Sequence, residues 1–288
     1  MGENVMEMKL KSLKQLVRRN RVGIIGGVCI AVVIIVALFA PVISPYDPDA
    51  MQVTKRNQEP NSEHPMGTDR FGRDMLSRVI YGARVSLWVG VISVGIGAVG
   101  GLILGLLSGY YGGSIDFIIM RVMDVLFAFP SILLALVIIA ILGPSLNNTM
   151  IAIGIGNMPT FTRIARASIL SVKEQDYVQA ALALGSKDRS VIIRHILPNI
   201  LAPIIVQASL ALSGAIRTEA TLSFLGLGIQ PPTASWGSML SESRRYMELA
   251  PWTAIFPALA IMVTVLSFNL FGDGLRDLLD PKLRHRQL

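Results

Sequence analysis

The segment GAVGGLILGLLSG, residues 97–109, places a glycine at every fourth position: Gly97, Gly101, Gly105 and Gly109. Residues four apart lie on one face of an α-helix, and glycines on one face allow a second backbone to approach closely. All of the segment except Gly109 lies within an apolar run, residues 86–108. This run exceeds the roughly 20 residues that a helix needs to cross a bilayer. It predicts a membrane-spanning helix that packs against another helix of this subunit or of a partner.

The composition extends this prediction to the whole chain. Of the 288 residues, 52% are hydrophobic and 16% are charged, whereas roughly 25% of the residues of a soluble domain are charged. Five further apolar runs are predicted to cross the membrane: residues 23–43, 122–142, 149–164, 200–216 and 252–271. The sequence therefore predicts an all-α integral membrane protein with six transmembrane helices, five of them in a core at residues 86–271.

The charge distribution predicts the orientation of these helices. Residues 1–22 form a basic segment, and the apolar run that follows is too long for a cleaved signal peptide. A cytoplasmic N-terminus then places residues 165–199 and the tail 272–288 on the cytoplasmic side. With Arg163 counted at the inner edge, 17 of the 26 lysines and arginines are cytoplasmic, which agrees with the positive-inside bias. Both termini are therefore predicted to be cytoplasmic.

The loop at residues 44–85 is predicted to lie outside. Its first part is rich in proline and polar residues and is expected to be irregular. An amphipathic helix is predicted to start at Thr68 or Asp69 and to lead into the second span. Its arginines, Arg73, Arg78 and Arg84, are then available to phosphate groups or to a partner, unless this helix is simply solvated.

The chain shows no pattern typical of a catalytic or metal site. It has no G-x-x-x-x-G-K-[ST] phosphate loop, so it is not expected to hydrolyse ATP itself. The histidines His64, His195 and His285 fall in predicted loops on different sides of the membrane, and Cys29 lies in the first span. The net charge of +7 does not indicate nucleic acid, because the basic residues are scattered among apolar spans.

A few ionisable residues lie in or beside the predicted spans. Such residues are functional candidates, because charge inside a bilayer is costly. Arg121 and Asp124 are three residues apart, so they are placed to pair with each other. The full set is Arg121, Asp124, Arg217, Glu219 and Asp273. Each of these residues either lines a transport path or has a structural role, and the sequence leaves both roles open.

The cytoplasmic segment 165–199 contains two predicted short helices. KEQDYVQAALALG is rich in helix-forming residues and stops at Gly185, and KDRSVIIRHIL follows and is expected to end at Pro198. The small residues Ala180, Ala181 and Ala183 lie beside the bend, where they allow another protein to come close. A docking element and a plain connector both fit this pattern.

The same segment resembles the loop that defines importer permeases of the ATP-binding-cassette (ABC) class. That pattern is Glu-Ala-Ala, three residues, Gly, nine residues, then Ile-x-Leu-Pro. The residues that match it are Ala180, Ala181, Gly185, Ile196, Leu197 and Pro198. Gln179 replaces the glutamate and His195 replaces the first isoleucine.

Further motifs resemble the C-type permease of dipeptide, oligopeptide and nickel uptake systems. They are HPMGTDRFGRDMLSRVIYGARVSL, RVMDVLFAFPSILLAL, EATLSFLGLGIQPPTASWGSML and FNLFGDGLRDLLDPKLR. The resemblance implies a permease of the bacterial inner membrane that transports peptides and pairs with a second, homologous permease. It also implies an external solute-binding protein and two ATPase subunits that use ATP and Mg²⁺, while this chain binds no cofactor and is not an enzyme.

In such a family the angled helices seat in a cleft of the ATPase. The resemblance therefore assigns the coupling contact to Gln179, Ala180, Ala181, Gly185, Ile196, Leu197 and Pro198. A permease for nickel or another small solute remains the alternative within the family. A stand-alone secondary carrier or channel and an intramembrane hydrolase are the alternatives outside it.

Overall fold

The structure is a computed structural model, and it describes residues 20–279. Most of the predicted basic segment 1–22 and the end of the predicted tail 272–288 lie outside this range. The described chain is helical and contains no strand apart from a single bridge between Thr68 and Asp74. The helices are α1 (Arg21–Leu38), α2 (Ala40–Ile43), α3 (Met75–Tyr111), α4 (Gly113–Ala128), α5 (Ser131–Leu142), α6 (Leu146–Lys173), α7 (Asp176–Ala183), α8 (Asp188–Val191), α9 (Leu197–Phe224), α10 (Trp236–Ser243) and α11 (Trp252–Leu279). The all-α prediction is confirmed for this part of the chain.

Four helical segments are long and apolar enough to cross a membrane. They are α1, α3, the continuous stretch Asp188–Phe224 and α11, and the bent pair of α4 and α5 makes a fifth if it is one span. The predicted span at residues 149–164 lies in α6, which is 28 residues long but is not apolar enough to belong to this set. A count of six spans and the sides of the termini therefore stay predictions.

The predicted span at residues 122–142 is not one straight helix. The chain bends by 96° between α4 and α5. Pro130 causes the break, because it has no N–H to donate and it disfavours helical backbone at the residue before it. Phe129 accordingly has an extended conformation, with φ −87° and ψ 136°.

The prediction that an amphipathic helix starts at Thr68 or Asp69 is wrong. Gly67 and Gly72 have φ values of 73° and 76°, and they fold the chain before residue 74 into turns. The helix α3 begins only at Met75, where the Asp74 carboxylate accepts a hydrogen bond of 2.7 Å from the Ser77 N–H. From there α3 runs without interruption for 37 residues, so no separate surface helix precedes the second span.

The prediction that the second short helix of segment 165–199 ends at Pro198 is wrong. Residues Ile192–Ile196 form a π-helical turn in which the Leu197 N–H binds the Ile192 carbonyl. Pro198 then occupies the first turn of α9, where its missing N–H is tolerated. The chain therefore continues as one helix from Asp188 to Phe224.

The closest helix packing joins α3 to α6. Every glycine of the 97–109 spine faces α6, and a Cβ added at Gly105 would lie 2.5 Å from the Ala165 Cβ. Gly97 meets Asn157 and Gly109 meets Ile169 in the same way, while Gly101 meets Phe161 more tightly still. The partner of the predicted spine is thus a helix of the same subunit.

We predict that Gly105→Ala destabilises the protein by roughly 1–3 kcal/mol, because overpacking forces backbone shifts. Thermal unfolding of the purified protein in detergent measures the effect. Gly95→Ala is the matched control: it lies on the same helix with no atom within 4 Å of the added Cβ, so it should be neutral or slightly stabilising. An equal unfolding temperature for the two variants would contradict the packing account.

Candidate coupling site

A tight turn joins α7 to α8 and forms the α7–α8 hairpin, residues 176–191. The Gly185 N–H donates to the Leu182 carbonyl at 2.9 Å, and the Ser186 N–H donates to the Ala181 carbonyl at 3.1 Å. These two bonds form a Schellman motif, which needs a residue in the left-handed region. Gly185 is this residue, with φ 77°. It is also the residue at which the first short helix was predicted to stop.

One surface of the hairpin is exposed and small. Gln179, Ala180 and Ala183 are exposed, and a Cβ added at Gly185 would meet nothing within 4 Å. Leu184 stands beside them with 87% of its side chain exposed. This surface carries small groups and one large apolar side chain, so its chemistry is that of a contact surface.

Sequence reasoning missed Leu184. The sequence contained a signal for it, because Leu184 directly precedes Gly185, the glycine that follows the end of the helix. A side chain at such a turn has few neighbours within the hairpin to bury it. Burying a leucine side chain against a partner is worth roughly 1.5–3 kcal/mol. Leu184 is therefore added to the candidate site.

The predicted coupling residues do not all lie on this surface. Ile196 is fully buried and belongs to the hydrophobic core with Val178 and Val191. It faces inward because the π turn and α9 continue one helix, whose apolar side packs on the membrane helices. Ala181 and Leu197 are half-buried, and Pro198 is exposed. Ile196 is therefore not accessible on the exposed surface of the hairpin, and its assignment to the coupling contact stays a prediction.

Two hydrogen bonds join the hairpin to the ends of α3 and α6, and a third joins these two helix ends to each other. The Tyr110 O–H donates to the Asp188 Oδ1 at 2.8 Å, and the Lys173 Nζ donates to the Tyr110 carbonyl at 2.7 Å. The Gln179 Nε2 donates to the Lys173 carbonyl at 2.8 Å. The hairpin is therefore bonded directly to both helix ends.

The two departures from the family pattern have local roles. A glutamate at position 179 has no donor when ionised, so only an amide such as Gln179 makes the bond to the Lys173 carbonyl. His195 lies near Tyr177, with 6.3 Å between the ring centroids. Both residues thus join the π turn and α7 to their surroundings.

An ion pair between Arg166 and Asp116 joins α6 to α4. The Arg166 guanidinium donates to both oxygens of Asp116, at 2.6 Å each, and Ser108 also donates to this carboxylate. Bidentate guanidinium–carboxylate pairs are strong and geometrically specific. This pair joins α3, α4 and α6 at one level.

The arginines predicted to reach phosphates or a partner from the outer loop are mostly inaccessible. Arg73 and Arg78 are each 1% exposed, and both lie among Asp69, Glu242 and Asp49. Arg73 donates to the Asp69 carboxylate at 2.6 Å. The expectation fails for these two residues because they are buried and paired with Asp69 and Glu242, and it remains open for the exposed Arg84.

The other ionisable candidates separate into buried and exposed groups. Glu219 is fully buried, and its carboxylate accepts hydrogen bonds from Ser86 at 3.2 Å and Ser223 at 2.8 Å. Arg217 and Asp273 are exposed. Within residues 20–279, no group of histidine, cysteine or carboxylate side chains has an arrangement that would hold a metal ion.

The sequence matches two families. Residues 101–285 match the family described as binding-protein-dependent transport system inner membrane component, and residues 15–60 match the N-terminal TM domain of oligopeptide transport permease C. The dipeptide transport system permease protein DppC of Alkalihalophilus pseudofirmus is 49% identical over 95% of this chain and 90% of its own length. The glutathione transport system permease protein GsiD of Pectobacterium atrosepticum is 46% identical over 92% of this chain and 89% of its own.

Solved structures share the fold. The inward-facing MetNI methionine ABC transporter matches with a TM-score of 0.58 at 16% identity, over 72% of this chain and 98% of that chain. An amino acid ABC transporter with histidines matches with a TM-score of 0.53 at 19% identity, over 73% and 94%. The fold is that of an ABC importer permease. The chain belongs to the family of binding-protein-dependent transport system inner membrane components, whose members are non-catalytic transport subunits.

We predict that Gly185→Ala loosens the hairpin, because a side chain in the left-handed region costs roughly 1–2 kcal/mol. Hydrogen exchange of the amides at residues 185 and 186 should become roughly 5- to 30-fold faster, by the usual conversion of free energy to an equilibrium constant. Gly214→Ala is the control, since it lies in α9 at an ordinary helical φ with open space around it. Unchanged exchange in Gly185→Ala would contradict the assigned role of this turn.

Proposed function

We propose that this chain is a permease subunit of an ATP-driven importer of short peptides in the bacterial inner membrane. It pairs with a second, homologous permease, receives peptides from an external solute-binding protein and is driven by two ATPase subunits. The α7–α8 hairpin is the seat of an ATPase. The observation that carries this proposal is the two-sided hairpin, which exposes small residues and Leu184 outward and is bonded to α3 and α6 inward.

The geometry explains how a movement of the ATPase would reach the membrane. A push on the hairpin acts on Asp188 and Gln179, which are bonded to Tyr110 and to the end of α6. Since α3 and α6 are in close contact along the glycine spine, they move together. ATP and Mg²⁺ belong to the ATPase subunits, and this chain contributes contact and transmission.

The substrate class rests on the relatives. The two described above are named for dipeptide and glutathione transport, and glutathione is itself a short peptide. These names favour peptides over nickel or another small solute.

The exposed apolar residues of the spanning helices, among them Val28, Ile35, Val99 and Leu266, suit contact with lipid or with the second permease.

The seat is tested with Leu184→Asp in the complete transporter. Loss of a buried leucine from an interface costs roughly 1.5–3 kcal/mol, so the affinity for the ATPase should fall at least tenfold. Co-purification of the ATPase with the permease in detergent measures this fall. Leu249→Asp introduces the same change at a residue of similar exposure, 65%, on the segment predicted to lie outside, and should retain the ATPase.

Three results would overturn the proposal. Full retention of the ATPase and of peptide uptake by Leu184→Asp would remove the hairpin as the seat. Uptake by the permeases alone, in vesicles without any ATPase, would instead indicate a secondary carrier or channel. Peptide hydrolysis by the purified chain in the absence of ATP would indicate an intramembrane hydrolase.

A further inference from the structure

Three charged residues interrupt an otherwise apolar exposed face of α4 and α6. Arg121 and Asp124 are exposed on α4, and Arg163 is half-buried beside them on α6. The other large exposed side chains of α4 are apolar: Ile115, Phe117, Ile118, Val122, Val125 and Phe127. A charge that faces lipid is costly, so these three residues, here called the charged cluster, are expected to face water or a polar ligand.

The charged cluster is unlike the ion pair next to it. Asp116 and Arg166 make two parallel hydrogen bonds, and their side chains are only 22% and 32% exposed. Asp124 and Arg163 make one, from Nη2 to Oδ1 at 2.7 Å, and remain 49% and 39% exposed. In the first pair both carboxylate oxygens accept a hydrogen bond from the arginine. In the second pair one oxygen of Asp124 and several N–H groups of Arg163 are available to another molecule.

Arg121 adds an unpaired positive charge. Within residues 20–279 it makes no hydrogen bond or ion pair, and its guanidinium lies 5.3 Å from the centre of the Phe117 ring. The guanidinium of Arg163 lies 4.1 Å from the centre of the Phe127 ring. Aromatic rings at these distances hold a guanidinium by cation–π attraction without using its N–H donors.

The charged cluster lies away from the ends of α4 and α6 that are nearest in sequence to α3 and to the α7–α8 hairpin, Gly113 and Lys173. At roughly 1.5 Å per residue, Asp124 is about 16 Å along α4 from Gly113 and Arg163 is about 15 Å along α6 from Lys173. Arg121 and Asp124 line an open cavity of about 360 Å³, together with Asp116 and Arg166. This volume is at the lower end of the roughly 300–1,000 Å³ of small-molecule sites, and the cavity is open on one side. Arg163 adjoins the cavity through its hydrogen bond to Asp124.

We propose that Arg121, Asp124 and Arg163 line the transport path and bind the two charged ends of a short peptide. Arg121 and Arg163 bind the terminal carboxylate, and Asp124 binds the terminal ammonium group. The surrounding apolar side chains accept peptide side chains of varied shape. This inference rests on the proposed function, because it assumes that peptides pass along this face.

The experiment uses the complete transporter in vesicles and measures uptake of radiolabelled dialanine with its binding protein present. The variants are Asp124→Asn, Arg163→Gln and Arg121→Gln, with Arg276→Gln as a control that removes an exposed arginine elsewhere. We expect kcat/KM for uptake to fall at least tenfold in the three variants and to stay within twofold of the wild type in the control. ATP hydrolysis stimulated by the binding protein should persist, and the second permease should co-purify.

A charge exchange separates ligand binding from a simple ion pair. The double variant Asp124→Arg with Arg163→Asp retains a pair of opposite charges, but it reverses the order in which the peptide ends meet them. We expect uptake to remain low. Restored uptake, wild-type uptake in the single variants, or loss of the second permease would each overturn the inference. Absence of peptide uptake by the wild-type transporter would instead overturn the proposed function itself.

Discussion

The close approach of α3 and α6 is the constraint on which the rest of the structure depends. Glycines at Gly97, Gly101, Gly105 and Gly109 bring the two backbones together, and in lipid this contact depends on packing rather than on the hydrophobic effect. Because the contact runs down to Gly109, it fixes the positions of Tyr110 and Lys173, the groups to which the α7–α8 hairpin is bonded. The site is therefore positioned by helix packing, and its own hydrogen bonds only complete the link.

The opposite end of α3 is held by a different kind of interaction. Arg73 and Arg78 are buried against carboxylates of the preceding loop and of Glu242 in α10. A buried ion pair of this kind costs desolvation, and breaking one partner is strongly destabilising. The two ends of α3 thus have distinct surroundings, with buried ion pairs at one end and the α7–α8 hairpin bonded to the other.

Much of the architecture could be predicted from local patterns, and the rest depends on contacts between distant residues. Apolar runs and the glycine spacing predicted long helices in close contact, and Gly185 marked the turn of the hairpin. The break at Pro130 had a signal in the sequence, the proline itself, but the long apolar run around it favoured a single span. The π turn that accommodates Pro198 leaves no pattern in the sequence. The burial of Ile196 and of Arg78 depends on partners far along the chain, which spacing alone does not reveal.

The central claim is that the hairpin transmits movement through its bonds to α3 and α6. The most direct measurement is peptide uptake and ATPase co-purification by the complete transporter carrying Tyr110→Phe, which removes only the hydrogen bond to Asp188. A hydrogen bond to a charged group is worth roughly 1.5–3 kcal/mol, so the account predicts that the ATPase is retained and that uptake falls severalfold, with ATP hydrolysis persisting. Uptake equal to that of the wild type would contradict it.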